Sequence, residues 1–257
     1  MSHIDLRARS TSEIVDAAFA LYRRDAMQYT LVTAIAYSPV LIYSLLSPAA
    51  RNPQTPDDVL GMVPVYLVSF LAYAIVSAVI VRMGADVYLG ERADVGRTIR
   101  DVLPRVPAFL VASILNGFLL FLGLLLFVVP VFYVLALMFA VVPAVVLEKR
   151  GALEALSRSA ALSKDRKLHI LKTLLLAYGI YIVLSIGLSM MATFTGSMIL
   201  LLLVSSLFNI FAYPIINLVV MVLYYDVRIR AEGFDLEHMA QAMGNAGRAS
   251  SPGGAIA

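Results

Sequence analysis

Four tracts without a single charged residue constrain this 257-residue chain: Ala26–Ala50, Val59–Val81, Val106–Leu147 and Thr173–Tyr225. A bilayer core about 30 Å thick is crossed by about 20 helical residues. The first two tracts suit one span each, and the other two, 42 and 53 residues long, suit two each. Inside hydrocarbon every backbone amide must be bonded within its own segment, so such spans are helices. Composition agrees: 14% charged residues is far below the roughly 25% that covers a soluble domain. The expected fold class is all-α, a polytopic membrane protein with about six transmembrane helices near 29–46, 62–81, 107–129, 131–147, 169–191 and 197–225. Pro39 lies inside the first span and Pro48 ends it, Pro130 divides the third tract, and a break near 193–196 divides the fourth. The span at 131–147 is short and bracketed by Pro130 and Pro143, and a re-entrant pair is the alternative there. Residues 1–236 form a single membrane domain, and 237–257 read as a mostly disordered cytosolic tail.

The charges orient this arrangement. Of the 20 Lys and Arg residues, 19 lie in the N-terminal segment, the 82–105 and 148–172 connections and the C-terminal tail, all on one face, while Arg51 lies on the other. That is the positive-inside pattern, and it places both termini in the cytosol. The basic excess suits anionic headgroups, so membrane lipids are the expected contacts and nucleic acid is not. The first 25 residues mix Asp5, Glu13, Asp16 and Asp25 with arginines, and no short apolar core precedes a small-residue cleavage site. The first span is thus expected to be an uncleaved anchor.

Each odd-numbered span follows a segment of helical periodicity. In the first, Ser10 and Glu13 form a capping box, Ile14, Ala18, Leu21 and Tyr22 share a face, and Arg23 and Arg24 close the helix at its negative dipole end. The second sets Val95, Ile99 and Val102 against Arg97, Arg100 and Arg105. The third sets Leu153, Leu156, Ala160 and Leu162 ahead of Lys164, Arg166 and Lys167. Such helices lie in the headgroup plane or pack on one another as a cytosolic collar. Amphipathic helix, basic cluster and span pair recur over about 1–81, 86–147 and 151–225, which suggests a threefold internal repeat.

No chemistry stands out against this frame. There is no cysteine, so disulfides and thiol catalysis are excluded. His3, His169 and His238 lack metal-ligand spacing, and no metal or cofactor is expected. No nucleophile elbow, phosphate loop or zinc-binding helix motif occurs. No ionisable residue falls in the middle of a span, which argues against a proton-coupled carrier, and Lys172 is close enough to the edge to snorkel. Asn116, Asn209 and Asn217 lie at depth. Interhelical hydrogen bonding explains them, and a small polar binding pocket is the sharper reading. Glu148, Asp226, His169 and Arg158 would have to converge at the cytosolic boundary to make a headgroup enzyme.

Three stretches resemble a known family. The opening, Leu6 to Arg24, the stretch Glu148–Lys164 with Leu156, Arg158, Ser159, Leu162 and Ser163, and above all the ending Tyr224-Tyr225-Asp226-Val227-Arg228-Ile229-Arg230-Ala231-Glu232-Gly233-Phe234-Asp235-Leu236 are similar to bacterial glycerophosphoryl diester phosphodiesterase membrane-domain proteins. The resemblance implies a bacterial inner-membrane protein. In some relatives such a domain precedes a catalytic barrel. The chain ends at Ala257 without one, so the resemblance implies a stand-alone membrane domain and no hydrolase activity.

In the ending, Tyr224 and Tyr225 suit the interface, Arg228 and Arg230 the phosphate layer, Asp226 can pair with Arg230 at i, i+4, and Gly233 stops the helix. The expected function is a non-enzymatic membrane scaffold or accessory protein. Arg23, Arg24, Arg158, Lys164, Arg166, Lys167, Arg228 and Arg230 would meet headgroups or a cytosolic or membrane protein partner. A transporter or lipid-handling protein for a small neutral solute or lipid is the alternative.

Overall fold

A computed structural model describes residues 7–51, 53–126 and 128–233. His3, His238, the closing Phe234-Asp235-Leu236 and the tail at 237–257 lie outside these. The described chain is all-helical, with α1 (Thr11–Arg24), α2 (Ala26–Leu46), α3 (Pro48–Arg51), α4 (Pro56–Tyr88), α5 (Val95–Val102), a 3-10 turn at Leu103–Arg105, α6 (Val106–Leu126), α7 (Val128–Met138), α8 (Val141–Val146), α9 (Ala152–Ser163), α10 (Lys167–Thr193) and α11 (Met198–Glu232). Five stretches are long and apolar enough to cross a membrane: α2, α4, Val95–Leu126, α10 and α11, as in a multi-pass membrane protein.

Local signals account for the helix ends. Ser10 accepts from the Glu13 amide while Glu13 accepts from the Ser10 amide, the expected capping box. Helix α4 starts at Pro56, six residues ahead of the expected span at 62–81. Asp57 and Asp58 are first-turn acids on a second capping box, Thr55 with Asp58, rather than loop residues. Gly196 and Gly233 adopt left-handed backbone, φ 68° and 63°, and end α10 and α11 where the sequence predicts.

The break in the third tract falls before Pro130, which sits in the first turn of α7, where a missing amide hydrogen costs nothing. The next 19 residues are themselves broken, at Phe139–Ala140, because Pro143 cannot donate to residue 139 and its ring crowds that carbonyl. Buried Ser159 of α9 repairs the break. Its hydroxyl accepts from the Ala140 amide at 3.0 Å and donates to the Leu137 carbonyl at 2.8 Å.

The core lies towards the charged face. Buried residues gather in the second halves of α4 and α11, in α8 and along one side of α1. At depth, Tyr37, Tyr73 and Tyr213 form an edge-to-face ladder with centroids 5.9 and 4.9 Å apart, joining α2, α4 and α11. A Cβ on Gly84 would collide with Leu218 Cδ2, so this glycine sets the approach of α4 to α11. The opposite halves expose apolar side chains such as Val59, Phe118, Leu125 and Val183, where acyl chains are the natural solvent.

The three amphipathic segments pack on span ends rather than on one another: α1 on α10 and α11, α5 on α4, and α9 on α6, α7 and α8. Helix α1 buries Ile14 and Ala18 as its stripe predicts, whereas in α5 and α9 one member of each stripe is turned out. Helix α9 buries Ala155, Ser159, Leu162 and Ser163 while Leu153 is 72% exposed, and α5 buries Thr98 and Val102 while Ile99 is 44% exposed. Small residues permit the close approach, and the displaced leucine and isoleucine point out to lipid.

Ser159→Ala strands a buried amide and a buried carbonyl. It is expected to cost about 2 kcal/mol, seen as a lowered melting temperature of the purified protein in detergent. An unchanged melting temperature would mean that the break is satisfied by other groups.

Candidate functional site: the charged face

Helices α4 and α11 have 33 and 35 residues, which at 1.5 Å per residue gives roughly 50 Å each, well beyond the hydrocarbon. Their ends carry charged residues out of the lipid and fold them back onto the cap. The second, third and fourth charge-free tracts are each followed within five residues by a carboxylate that is almost fully enclosed: Asp86, Glu148 and Asp226, with side chains 8%, 10% and 1% exposed.

Glu148 follows α8. It accepts from Arg150 Nε at 2.6 Å, Arg158 Nε at 2.9 Å and the Tyr224 hydroxyl at 2.7 Å. Arg158 reaches on to Glu232, which Arg228 also meets at 3.1 Å. Tyr224, Arg228 and Glu232 stand at i, i+4 and i+8, one face of α11, with the Arg228 guanidinium 5.7 Å from the Tyr224 ring centre. This cluster ties α9 to α11. Burial pushes the Glu148 carboxyl up, but the bonds from Arg150, Tyr224 and Arg158 outweigh it and hold the group below the usual carboxylate range.

Asp226 lies two residues from Tyr224, roughly 200° round the helix. It accepts from the Arg9 amide at 2.6 Å and from Arg230 Nε at 2.8 Å, and His169 Nε2 lies 2.9 Å away. Arg230 also donates to the Arg9 carbonyl at 2.7 Å, and Arg166 to the Arg230 carbonyl at 2.8 Å. The expected Asp226–Arg230 pair is therefore present, embedded in a knot that fastens the start of α1 and the start of α10 to α11. Asp86 is simpler: Arg82 bonds it at 3.0 Å and reaches Asp101 of α5 at 3.7 Å.

Glu148 with Arg158, and Asp226 with His169, thus form two clusters on different faces of α11 rather than one cleft. Among the described residues no group of His, Asp and Glu side chains is placed to hold a metal. The three asparagines are also apart. Asn209 accepts from the Tyr181 hydroxyl at 2.7 Å and donates to the Ser205 carbonyl at 2.8 Å. Asn217 accepts from Ser77 and donates to the Tyr213 carbonyl at 2.9 Å. Asn116 stands on α6, which packs on α4, α7, α8 and α9 instead.

The eight basic residues of the expected contact surface divide. Arg158, Arg228 and Arg230 hold carboxylates, Arg166 caps the Arg230 carbonyl, and Lys167 lies 5.5 Å from the centre of the Tyr133 ring. Arg23, Arg24 and Lys164 are exposed on the outer side of the cap. Glu232 and Ser159 enter the sequence reading only within the resembling stretches, with no role assigned, and Asp86 and Ser77 do not enter it. Only Asp86 carried a readable signal, the Asp-Val pair at a span end that Asp226 and Val227 repeat.

A cavity of about 700 Å³ opens beside the Asp226 knot, lined by the 9–11 segment, the start of α10 and Arg230. Deeper along the same three helices runs a groove of almost wholly apolar lining, including Val15, Phe19, Ile180 and Phe211. No family model, no curated protein and no solved structure matches this chain.

A carboxylate with a depressed folded-state pKa contributes stability that is present above its ordinary value, about 4.3, and lost as pH falls through the lower folded value. Glu148→Gln is expected to cost about 2 kcal/mol at neutral pH. The melting-temperature gap between wild type and variant should close as pH falls below about 4. A gap that persists undiminished to pH 3 would rule out the Glu148 charge as its source.

Proposed function

We propose that this chain is a six-span membrane scaffold or accessory protein that presents a preformed basic cap to the cytosol. The observation that carries the reading is the division of the cations. One set locks α9 and the start of α1 onto the span ends through enclosed carboxylates, leaving Arg23, Arg24 and Lys164 displayed on a rigid surface. Ordering a partner against a rigid surface costs less than against mobile loops. The cap is multivalent for an acidic partner, and no carboxylate on it is left open to act as an acid or base in the clusters described. The resemblance to the phosphodiesterase membrane-domain family fits this reading, with bacterial inner-membrane residence and both termini in the cytosol.

Six spans are supported by the hairpin of α6 on α7 and α8. A Cβ at Gly123 would lie 3.4 Å from the Val131 backbone, so α6 and the start of α7 run close together at the turn, and α6 also meets α8 and α9. Residues 128–146, 19 in all, cover roughly 28 Å as helix, close to a full crossing. A threefold repeat is supported by the order of packing. Each amphipathic helix caps the span that precedes it in the cycle: α5 on α4, α9 on α8, and α1 on α11. The last pairing is not imposed by chain connectivity. Each capped span also ends in one of the three enclosed carboxylates.

Because the chain has no cysteine, single introduced thiols report topology directly. Ser12→Cys, Ala93→Cys and Lys164→Cys should react with an impermeant maleimide from the cytosolic side alone. Gln54→Cys, Phe127→Cys and Thr195→Cys should react from the other side, and cytosolic labelling of Phe127→Cys would replace the third and fourth spans with a re-entrant pair.

The scaffold role is tested by crosslinking and purification from native membranes, with proteins and lipids identified by mass spectrometry. A stoichiometric protein partner is expected, lost in the Arg23→Ala, Arg24→Ala, Lys164→Ala triple variant while the melting temperature is kept. Recovery of the bundle without any stoichiometric protein would overturn it.

A further inference from the structure

The cavity beside the Asp226 knot is cationic beyond what its internal pairing consumes. Among the described residues, Arg9, Arg166, Lys172 and Arg230 line it together with His169, and the acidic groups are Asp165 and, beneath, Asp226. The Arg9 guanidinium is engaged elsewhere, 6.0 Å from the Tyr88 ring centre. With His169 neutral, the other three cations against two carboxylates leave an excess of one positive charge. Asp226 is already saturated by the Arg9 amide, Arg230 and His169. Lys172 is exposed and makes no hydrogen bond or ion pair among the described residues. Two helix starts add to the field. Ser10 and Thr11 open α1 on one wall. Arg166 opens α10 on the other, where no side chain caps the first-turn amides. Both present the positive end of a helix dipole to the same space.

The apolar groove gives this cavity a direction. It is framed by the same three helices, α1, α10 and α11, with Val15 and Phe19 on one side and Ala177, Ile180 and Phe211 on the others. On α10 the i, i+4 row Lys172, Leu176, Ile180, Leu184 connects the two. From Lys172 to Ile180 the helix descends roughly 12 Å, the step from a phosphate to the upper acyl chain of a lipid. Leu176 and Ile180 are each 38% exposed, so the row is open to an occupant.

We propose that the seam between α1, α10 and α11 is a specific site for one anionic phospholipid, with its phosphate in the cavity of Arg166, Lys172 and Arg230 and an acyl chain in the groove of Phe19, Ile180 and Phe211. Phosphate oxygens take the guanidinium and ammonium donors and the α10 amides. The net positive excess favours a headgroup without a compensating cation. The groove is what a free phosphate cannot use. This site does not involve Arg23, Arg24 or Lys164, so it stands or falls separately from the scaffold surface.

The test is native mass spectrometry of the full chain in detergent, titrated in turn with dioleoyl phosphatidylglycerol, dioleoyl phosphatidylcholine and inorganic phosphate. One phosphatidylglycerol per chain is expected to be retained, about tenfold more tightly than phosphatidylcholine, a discrimination of about 1.4 kcal/mol. Lys172→Glu, at an exposed position outside the core, should lower that occupancy about tenfold, and Lys172→Arg should keep it. Ala212→Leu, which narrows the groove, should weaken the diacyl lipid and leave phosphate unaffected. Equal retention of the two lipids, or indifference to Lys172→Glu, would reduce the seam to ordinary annular lipid and overturn the proposal. Displacement of the lipid by millimolar inorganic phosphate with no effect of Ala212→Leu would also overturn it, in favour of a free-anion site. Melting temperatures measured on the same variants separate lost binding from lost folding.

Discussion

An enclosed carboxylate at the edge of a membrane costs several kcal/mol to desolvate unless its charge is met by good donors. Asp86 sits in the last turn of α4 and Asp226 in the penultimate turn of α11, where the helix dipole adds to the cost. The structure supplies Arg82 and Arg230 one turn away on the same helices. It then draws the remaining donors from elsewhere in the chain: the backbone at Arg9 and the ring of His169 for Asp226, Arg158 and Tyr224 for Glu148. That second source of donors is what makes the cap part of the bundle. Helices α1 and α9 cannot swing out into the headgroup plane without abandoning a buried charge.

Backbone satisfaction imposes the other constraint. Within lipid a broken helix survives only where protein covers the freed amides and carbonyls. The break between α7 and α8 is covered by Ser159, so α9 must lie against α8 at a fixed register. The same register places Arg158, one residue earlier, beside Glu148. One serine and one arginine, adjacent in sequence, therefore seal a backbone defect and neutralise a buried acid at the same corner of the molecule.

Much of this was legible from the chain. Charge-free tracts located every long apolar helix, the Ser10–Glu13 box and Gly233 bounded α1 and α11, and the Asp226–Arg230 spacing anticipated a real pair. Charge-free length underestimated α4, because Asp57 and Asp58 belong to a capped first turn. Apolar periodicity placed Val102 and Leu162 correctly in α5 and α9 but missed that Ile99 and Leu153 turn outward while Thr98, Ala155 and Ser159 are buried. In a soluble protein a residue such as Leu153 points inward; next to lipid both sides of a helix can be apolar, and small size marks the closest packing. The site was hidden for a different reason. A lone Arg in a basic segment looks the same whether it faces outward, as Arg23 does, or spends its charge within the fold, as Arg158 does. Only the partner tells them apart, and Glu232 lies 74 residues from Arg158.

The longest of these links has a consequence for how the molecule assembles. Arg9 and Asp226 are 217 residues apart, so the first amphipathic helix is made long before the span on which it packs. Contacts of such sequence separation form late, after the loop between them has been closed. Until α11 is in place, the apolar side of α1, with Ile14, Val15 and Ala18, lacks its largest packing partner and is sheltered mainly by the membrane surface. Its capping box, built from residues three apart, lets it exist there as a helix in the meantime. Docking onto α10 and α11 then completes the Asp226 knot, the charged cavity and the apolar groove in one step, because all three share the same walls. Docking of α1 and creation of the seam are thus a single event, and whatever occupies the seam bears directly on the stability of the docked state.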